Sequence, residues 1–131
     1  MLVYIAAPGT QGDRAQWLAA RLREAGHQVV STWHRNGGPL SDPTATLERI
    51  AVTAENSSQI RSAQVVVGYM PFPDTAKEAH RELGYARALE KPVIEWVSDD
   101  IRKRAISDSC GETVRDIDEL LAWLGAMGVT T

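Results

Sequence analysis

The residues best suited to chemistry lie in the run Lys77-Glu78-Ala79-His80-Arg81-Glu82-Leu83-Gly84-Tyr85-Ala86. It follows the apolar stretch Val65-Val66-Val67-Gly68-Tyr69 and the loop Met70-Pro71-Phe72-Pro73-Asp74. In an open α/β sheet this order puts Glu82 near the crevice beyond a strand's carboxyl end, where ligands bind. The alternative is one more solvated carboxylate on a helix surface. Tyr4, within Leu2-Val3-Tyr4-Ile5-Ala6-Ala7, carries a phenol that needs a partner once buried. That partner is either a core acceptor or a catalytic carboxylate that the phenol orients. The turn Ala7-Pro8-Gly9-Thr10-Gln11-Gly12-Asp13-Arg14 joins a strand to a helix start, where free N–H groups and glycine's permissive φ suit a phosphate or a ribose. It is neither a Walker A loop nor a G-x-G-x-x-G fingerprint, and an ordinary strand-to-helix turn reads the same way. Trp33, beside His34, is placed either to stack on a planar base or to cover the sheet edge.

The elements that must position these residues follow from the hydrophobic period, which alternates between short continuous runs and helical stripes. That is the pattern of a parallel βαβ sheet. The first strand is predicted at Leu2 to Ala6 and the second at Gln28 to Thr32. Between them Ala15, Leu18, Ala19, Leu22 and Ala25 mark a helix, with Asp13 as its cap and Gly26 as its stop. Asp42-Pro43 reads as the start of a second helix carrying Leu47, Ile50, Ala51 and Ala54. Its polar end, Glu55-Asn56-Ser57-Ser58-Gln59, comes shortly before the third strand and can reach the crevice. Thr75-Ala76-Lys77-Glu78 has capping-box spacing, which starts a third helix with Glu78, Glu82 and Tyr85 on one face and Glu82 about two turns in. Lys91 to Val97 is predicted as the fourth strand, and Ile117, Leu120, Leu121 and Leu124 as a closing amphipathic helix. A short helix at Asp99 to Ala105 and a short strand near Thr113 to Arg115 are expected between them. The fold expected is a single-domain Rossmann-like (flavodoxin-like) α/β unit over residues 1–131, an open parallel sheet of four to five strands flanked by helices.

A chain of 131 residues is long enough to bury a core and too short for a second domain. A net charge of −3, with Arg14, Arg21, Arg23 and Arg35 interleaved among acids, gives no footprint for a nucleic-acid polymer. The single Cys110 excludes an internal disulfide, and three scattered histidines without Cys or His partners at ligand spacing predict no metal and no cofactor. The N-terminal run is too short for a signal peptide, and no apolar run approaches about 18 residues. A cytoplasmic protein without a membrane partner is expected.

These residues together resemble the nucleoside 2-deoxyribosyltransferase-like family, which includes nucleotide N-glycosidases. The resemblance runs from Val3-Tyr4-Ile5-Ala6-Ala7 through Gly12-Asp13-Arg14, Gly26 to Trp33 and Ile60 to Val67. It is strongest at Glu82-Leu83-Gly84-Tyr85-Ala86 followed by Lys91-Pro92-Val93-Ile94, similar to the family's Glu-x-Gly-x-Ala helix and Lys-Pro-Val strand. His80-Arg81-Glu82 also resembles a His-x-Glu variant of bacterial members. The resemblance implies a retaining transfer at the anomeric carbon of a nucleoside or nucleoside 5′-monophosphate. Glu82 matches the nucleophile and Tyr4 the tyrosine that holds it in an attacking rotamer and favours its ionised form. With this reading the turn residues Gly9, Gly12, Asp13 and Arg14 are candidates for sugar or phosphate, and Trp33 and Pro71 are candidate substrate contacts. It also implies a homodimer or larger oligomer; Trp96, Trp123 and Met127 are apolar enough to join such an interface or are ordinary core.

Two positions depart from the family pattern. Asn56 stands where the family usually has an aspartate that contacts the leaving base and supplies or relays a proton. An amide can hydrogen-bond a base but is no general acid, so protonation falls to Asp74, His80, Glu55 or solvent, or is missing. Gln64 likewise replaces an aspartate at the start of the third strand. A rival reading is therefore a nucleotide-binding module of the same fold without turnover, and a partner-binding α/β domain is a third.

Overall fold

The short Val- and Ile-rich runs become strands and the helical stripes between them become crossovers. The computed structural model describes residues 1–36, 46–70, 77–97 and 112–130. Its strands are β1 (Leu2–Ala6), β2 (Gln28–Val29), β3 (Val65–Met70), β4 (Val93–Val97) and β5 (Glu112–Val114), and its described helices are α1 (Gly12–Glu24), α2 (Thr46–Ser62), α3 (Lys77–Ala88) and α4 (Ile117–Thr130). All strand pairs are parallel, in the order β2-β1-β3-β4-β5. The chain steps outward from β1 to β2, then crosses back to β3. The topological switch point, where such sheets bind ligands, thus lies between β1 and β3.

The sheet separates two apolar layers. Val3, Ile5, Val65, Val67 and Ile94 meet Ala15, Leu18, Leu22, Leu120 and Leu124 of α1 and α4 on one side. Tyr4, Ala6, Val66 and Met70 meet Ile60 of α2 and Ala79, Leu83 and Ala86 of α3 on the other. The parallel register pairs Tyr4 with Val66, Ala6 with Gly68, and Gly68 with Glu95, so these positions share the α2/α3 side.

Local chemistry sets the element ends. The predicted stop of α1 is a Schellman motif: His27 N–H reaches Leu22 C=O at 3.0 Å and Gly26 N–H reaches Arg23 C=O at 3.0 Å. Gly26 sits at φ +93°, which a side chain would resist. At the other end Asp13 is not the cap. Gln11 occupies that position without a side-chain bond, and Asp13 lies within the first turn, where its charge still favours the helix dipole. β2 is shorter than expected because the chain turns after Val30, whose N–H still bonds Val3 C=O at 2.8 Å. Ser31 Oγ then accepts the Ile5 N–H at 3.1 Å in place of a ladder carbonyl, and a 3-10 turn follows at Trp33–Asn36. β4 begins at Val93, after Pro92, and the ammonium of Lys91 caps α2 by donating to Arg61 C=O and Ala63 C=O, both at 2.8 Å. β5 lies one residue earlier than predicted. The expected Asp42-Pro43 and Thr75-Ala76 caps and the helix at Asp99 to Ala105 lie outside the described residues, as do Cys110, Pro71 and Asp74.

Candidate active site

Tyr4 and Glu82, 78 positions apart in sequence, meet because β1 and α3 share one layer. Ala79, Leu83 and Ala86 form the stripe that seats α3 on the sheet, all essentially without exposure. Gly68 permits that close approach: a Cβ there would lie 3.0 Å from Leu83 Cδ1 and 3.3 Å from Glu95 Cγ. Near its C-terminal end α3 is tied down by Arg87, whose guanidinium meets the buried Glu95 carboxylate at 3.2 Å. Glu82, on the flank of this stripe, is thereby turned toward β1. There the fully buried Tyr4 donates its O–H to Glu82 Oε2.

Burial sets the charge states. Glu82 is pushed up to about 7, chiefly by desolvation; the Tyr4 hydrogen bond pulls it down and the Glu78 charge pushes it up. Tyr4 is raised far above its ordinary range by burial first and by the Glu82 charge second, so it stays a proton donor. The Tyr4 bond thus favours the carboxylate as expected, but desolvation outweighs it. At neutral pH the site holds a carboxylate poised between its two forms, with one oxygen fixed by a donor that does not ionise.

Above this pair α2 and α3 form an open pocket with a cavity volume of about 90 Å³, lined by Thr53, Asn56, Ser57, Glu78, Arg81 and Glu82. That is smaller than the range of about 300–1,000 Å³ usual for clefts that enclose a whole small molecule, so the pocket holds part of a ligand and leaves the rest outside it. The α2 wall is pinned to the end of β2. Thr32 Oγ1 donates to Glu55 Oε1 at 3.1 Å, Gln59 Nε2 donates to Thr32 Oγ1 at 2.8 Å, and Thr32 N–H donates to Gln59 Oε1 at 3.3 Å. With Glu55 and Gln59 so engaged, Asn56 and Ser57 present toward α3.

The structure therefore brings Tyr4, Glu82 and Asn56 together. It places the other candidates elsewhere. His80 is exposed, two positions from Glu82 and so on the far flank of the helix, and Glu55 already accepts two hydrogen bonds. The Gly9–Arg14 turn sits at the end of β1 with Gly12 buried and Asp13 and Arg14 exposed, but none of its residues lines the pocket. Trp33 packs against both core layers and donates its indole N–H to Ile5 C=O at 2.8 Å. Gln64 Oε1 accepts the Leu2 N–H at 2.8 Å, a task an amide does as well as a carboxylate. Thr53 and Arg81 were not among the sequence candidates. Spacing was the available signal, since Thr53, Asn56 and Ser57 stand at i, i+3, i+4, as Glu78, Arg81 and Glu82 do.

Residues 3–121 match the profile of the nucleoside 2-deoxyribosyltransferase family. The chain belongs to that family. Membership supports nucleoside deoxyribosyl transfer or N-glycosidase activity, and makes this chain an enzyme with nucleosides as fitting substrates. No curated protein matches the chain. Among solved structures, the 2-deoxyribosyltransferase of Bacillus psychrosaccharolyticus aligns with TM-score 0.73 at 23% identity, over 92% of this chain and 90% of its own. The CMP N-glycosidase of Clostridium botulinum aligns with TM-score 0.58 at 18% identity, over 95% and 99%. A conserved protein of Enterococcus faecalis aligns with TM-score 0.67 at 14% identity, over 93% and 95%. These likenesses show that the single parallel sheet with its flanking helices is the 2-deoxyribosyltransferase fold. No described helix is long and apolar enough to cross a membrane.

Proposed function

We propose that the chain breaks the N-glycosidic bond of a (deoxy)ribonucleoside or nucleoside 5′-monophosphate by attack of Glu82 on C1′, leaving a glycosyl-enzyme that an acceptor base or water resolves. The observation that carries this reading is the Tyr4–Glu82 pair, whose carboxylate lines the α2/α3 pocket. Two displacements replace one difficult step, and each inverts C1′, so configuration is retained. Tyr4 fixes one carboxylate oxygen, which leaves the other to attack. Its bond strengthens with the charge on Glu82, so it favours the nucleophilic form. Only the ionised carboxylate attacks, so kcat/KM rises with pH through a midpoint near 7, the value to which Glu82 is pushed. In this reading Asn56 hydrogen-bonds the base, the Gly9–Arg14 turn at the end of β1 takes the sugar or its phosphate from outside the α2/α3 pocket, and the enzyme works as a homodimer or larger oligomer.

The test is to incubate the purified protein with nucleosides and 5′-monophosphates, with and without an acceptor base, beside a Glu82→Ala control. Free base or an exchanged nucleoside is expected from the wild type and absent in the control. Base release that survives in Glu82→Ala overturns the assignment of the nucleophile, and no product from any substrate overturns the proposal.

A further inference from the structure

The proposed reaction leaves one demand unmet. When the C1′–N bond breaks, its electron pair moves onto the base, and Asn56 has no acidic proton to neutralise it. Among the described residues the other acids named for this task are badly placed, with Glu55 bonded to Thr32 and Gln59 and His80 exposed on the far flank of α3. The pocket does contain one described cation. Arg81 lines it together with Asn56 and Ser57. Helical spacing points Arg81 at the α2 wall, because Tyr85, one turn further on, receives a hydrogen bond at 2.9 Å from Arg61, which itself lies one turn beyond Ser57. The Arg81–Ser57 level is thus the next rung of the same α2–α3 contact, opened into a pocket. Other described arginines of this layer are spent: Arg61 on Tyr85 and Arg87 on Glu95. Arg81 has no hydrogen-bond or ion-pair partner among the described residues, although Glu78 and Glu82 are its neighbours on the helix.

We propose that Arg81 is a catalytic residue that contacts the departing base, its guanidinium taking the place of a general acid by stabilising the negative charge on the base as the bond to C1′ breaks. This rests on the reading of Glu82 as nucleophile. In the first step the Glu82 oxygen bonds to C1′, the C1′–N bond breaks, and its electron pair spreads over the base onto a carbonyl oxygen or ring nitrogen. Arg81 donates hydrogen bonds to that atom and stays protonated throughout, as a guanidinium does. The base then takes a proton from water. In hydrolysis a water oxygen bonds to C1′, Glu82 leaves as carboxylate, and the proton released by that water balances the one the base acquired. Asn56 supplies register through its paired donor and acceptor, while Arg81 supplies charge that acts in the transition state.

The test compares bases that depart with different ease: 5-fluorouracil beside uracil, or 7-methylguanine beside guanine, whichever pair the wild type accepts, on nucleosides with and without a 5′-phosphate. A poor leaving base needs the cation and a good one does not. Arg81→Gln should lower kcat/KM about 100-fold on the parent base, the usual loss for one charge-stabilising donor, and several-fold at most on the easier one. Arg81→Lys, which keeps the charge, should recover part of the loss. Equal losses on both bases overturn this inference and leave the role of Glu82 standing. A loss confined to 5′-phosphorylated substrates also overturns it, and reassigns Arg81 to the phosphate. A wild type inactive on every substrate overturns the parent reading and this inference with it.

Discussion

A polar cluster beside β2 and another beneath α3 are both packed against this sheet, and burial drives them to opposite ends. At the β2 edge, Ser31 and His34 have no exposed surface. Ile5 N–H donates to Ser31 Oγ at 3.1 Å, Ser31 Oγ lies 2.9 Å from His34 Nε2, and His34 Nδ1 lies 2.6 Å from Gln16 Oε1. A neutral imidazole satisfies the whole chain, with Ser31 donating to Nε2 and Nδ1–H donating to Gln16. Desolvation, then Arg23 and Arg35, pushes His34 down to about 4 and keeps it neutral. Every polar atom there has a partner, so the cluster holds the Trp33 turn in place and can do nothing else. Beneath α3 the same desolvation raises Glu82, but Tyr4 satisfies only one of its oxygens and a pocket lies above. Burial with full satisfaction makes structure, whereas burial with one face left open makes a site.

The sharpest way to break this contrast is at Glu82. If Glu82 is the nucleophile as proposed, Glu82→Ala should lower kcat by more than about 1,000-fold, while leaving the near-ultraviolet circular dichroism of the fold unchanged. His34→Gln should leave kcat within a few-fold of wild type, so comparable losses in the two variants would erase the distinction. Next comes Tyr4→Phe, which removes the bond that pulls Glu82 down. It should cost about 10- to 100-fold in kcat/KM, and the acid limb of the pH profile should move above 7. A limb that stays put would mean Tyr4 acts only through packing.

The two clusters also load stability with opposite pH signs. Glu82 is raised from 4.5 to about 7, so its contribution is complete below 4.5 and is lost as pH rises through 7. His34 is lowered from 6.5 to about 4, so the unfolded chain binds the extra proton and stability is lost as pH falls from 6.5 toward 4. Each loss is at most about 3 kcal/mol, from 1.36 kcal/mol per pKa unit. Denaturant titrations should find Glu82→Gln relatively more stable than wild type at pH 8 than at pH 5. His34→Gln should lose the acid-side slope. The smallest effect is at Gly68. Gly68→Ala puts a methyl 3.0 Å from the tip of Leu83, which can move, so the cost is about 1 kcal/mol of stability with a several-fold fall in kcat as α3 lifts Glu82 from Tyr4. An unchanged kcat would show that the seat of Leu83 does not set the pair.

Much of this was legible because each signal was local. Short β-branched runs and helical stripes give β1, α1, β3, α3 and α4, and Gly26 announced its own Schellman stop. Glu82 stood out because it follows a strand and a loop, and Tyr4 because a phenol in a buried strand needs a partner. The misreadings also have local causes. Asp13 resembles a cap, but the 3-10 turn at Gly9–Gln11 shifts the helix start so that it falls inside the first turn. Ser31 and Thr32 favour a strand by composition, yet their hydroxyls make side-chain bonds that end β2 early. Trp33 is open to either reading in the sequence, and the structure adds that its N–H is bonded to Ile5 C=O. Arg81 does not stand out in the sequence because nothing in a charged helical run says which exposed cation borders a pocket.

The sequence alone determined the parallel α/β sheet, the order of its elements and the identity of the carboxylate and phenol, because period, turns and residue type are written along the chain. The tertiary structure alone decided that Tyr4 and Glu82 touch, that Asn56 and Arg81 share a pocket with Glu82, and that His34 is shut away. Those facts depend on the crossover at the β1/β3 switch point and on the depth of burial. Both are properties of which distant segments meet, and desolvation, which moves Glu82 toward neutrality and His34 away from it, exists only once they have met.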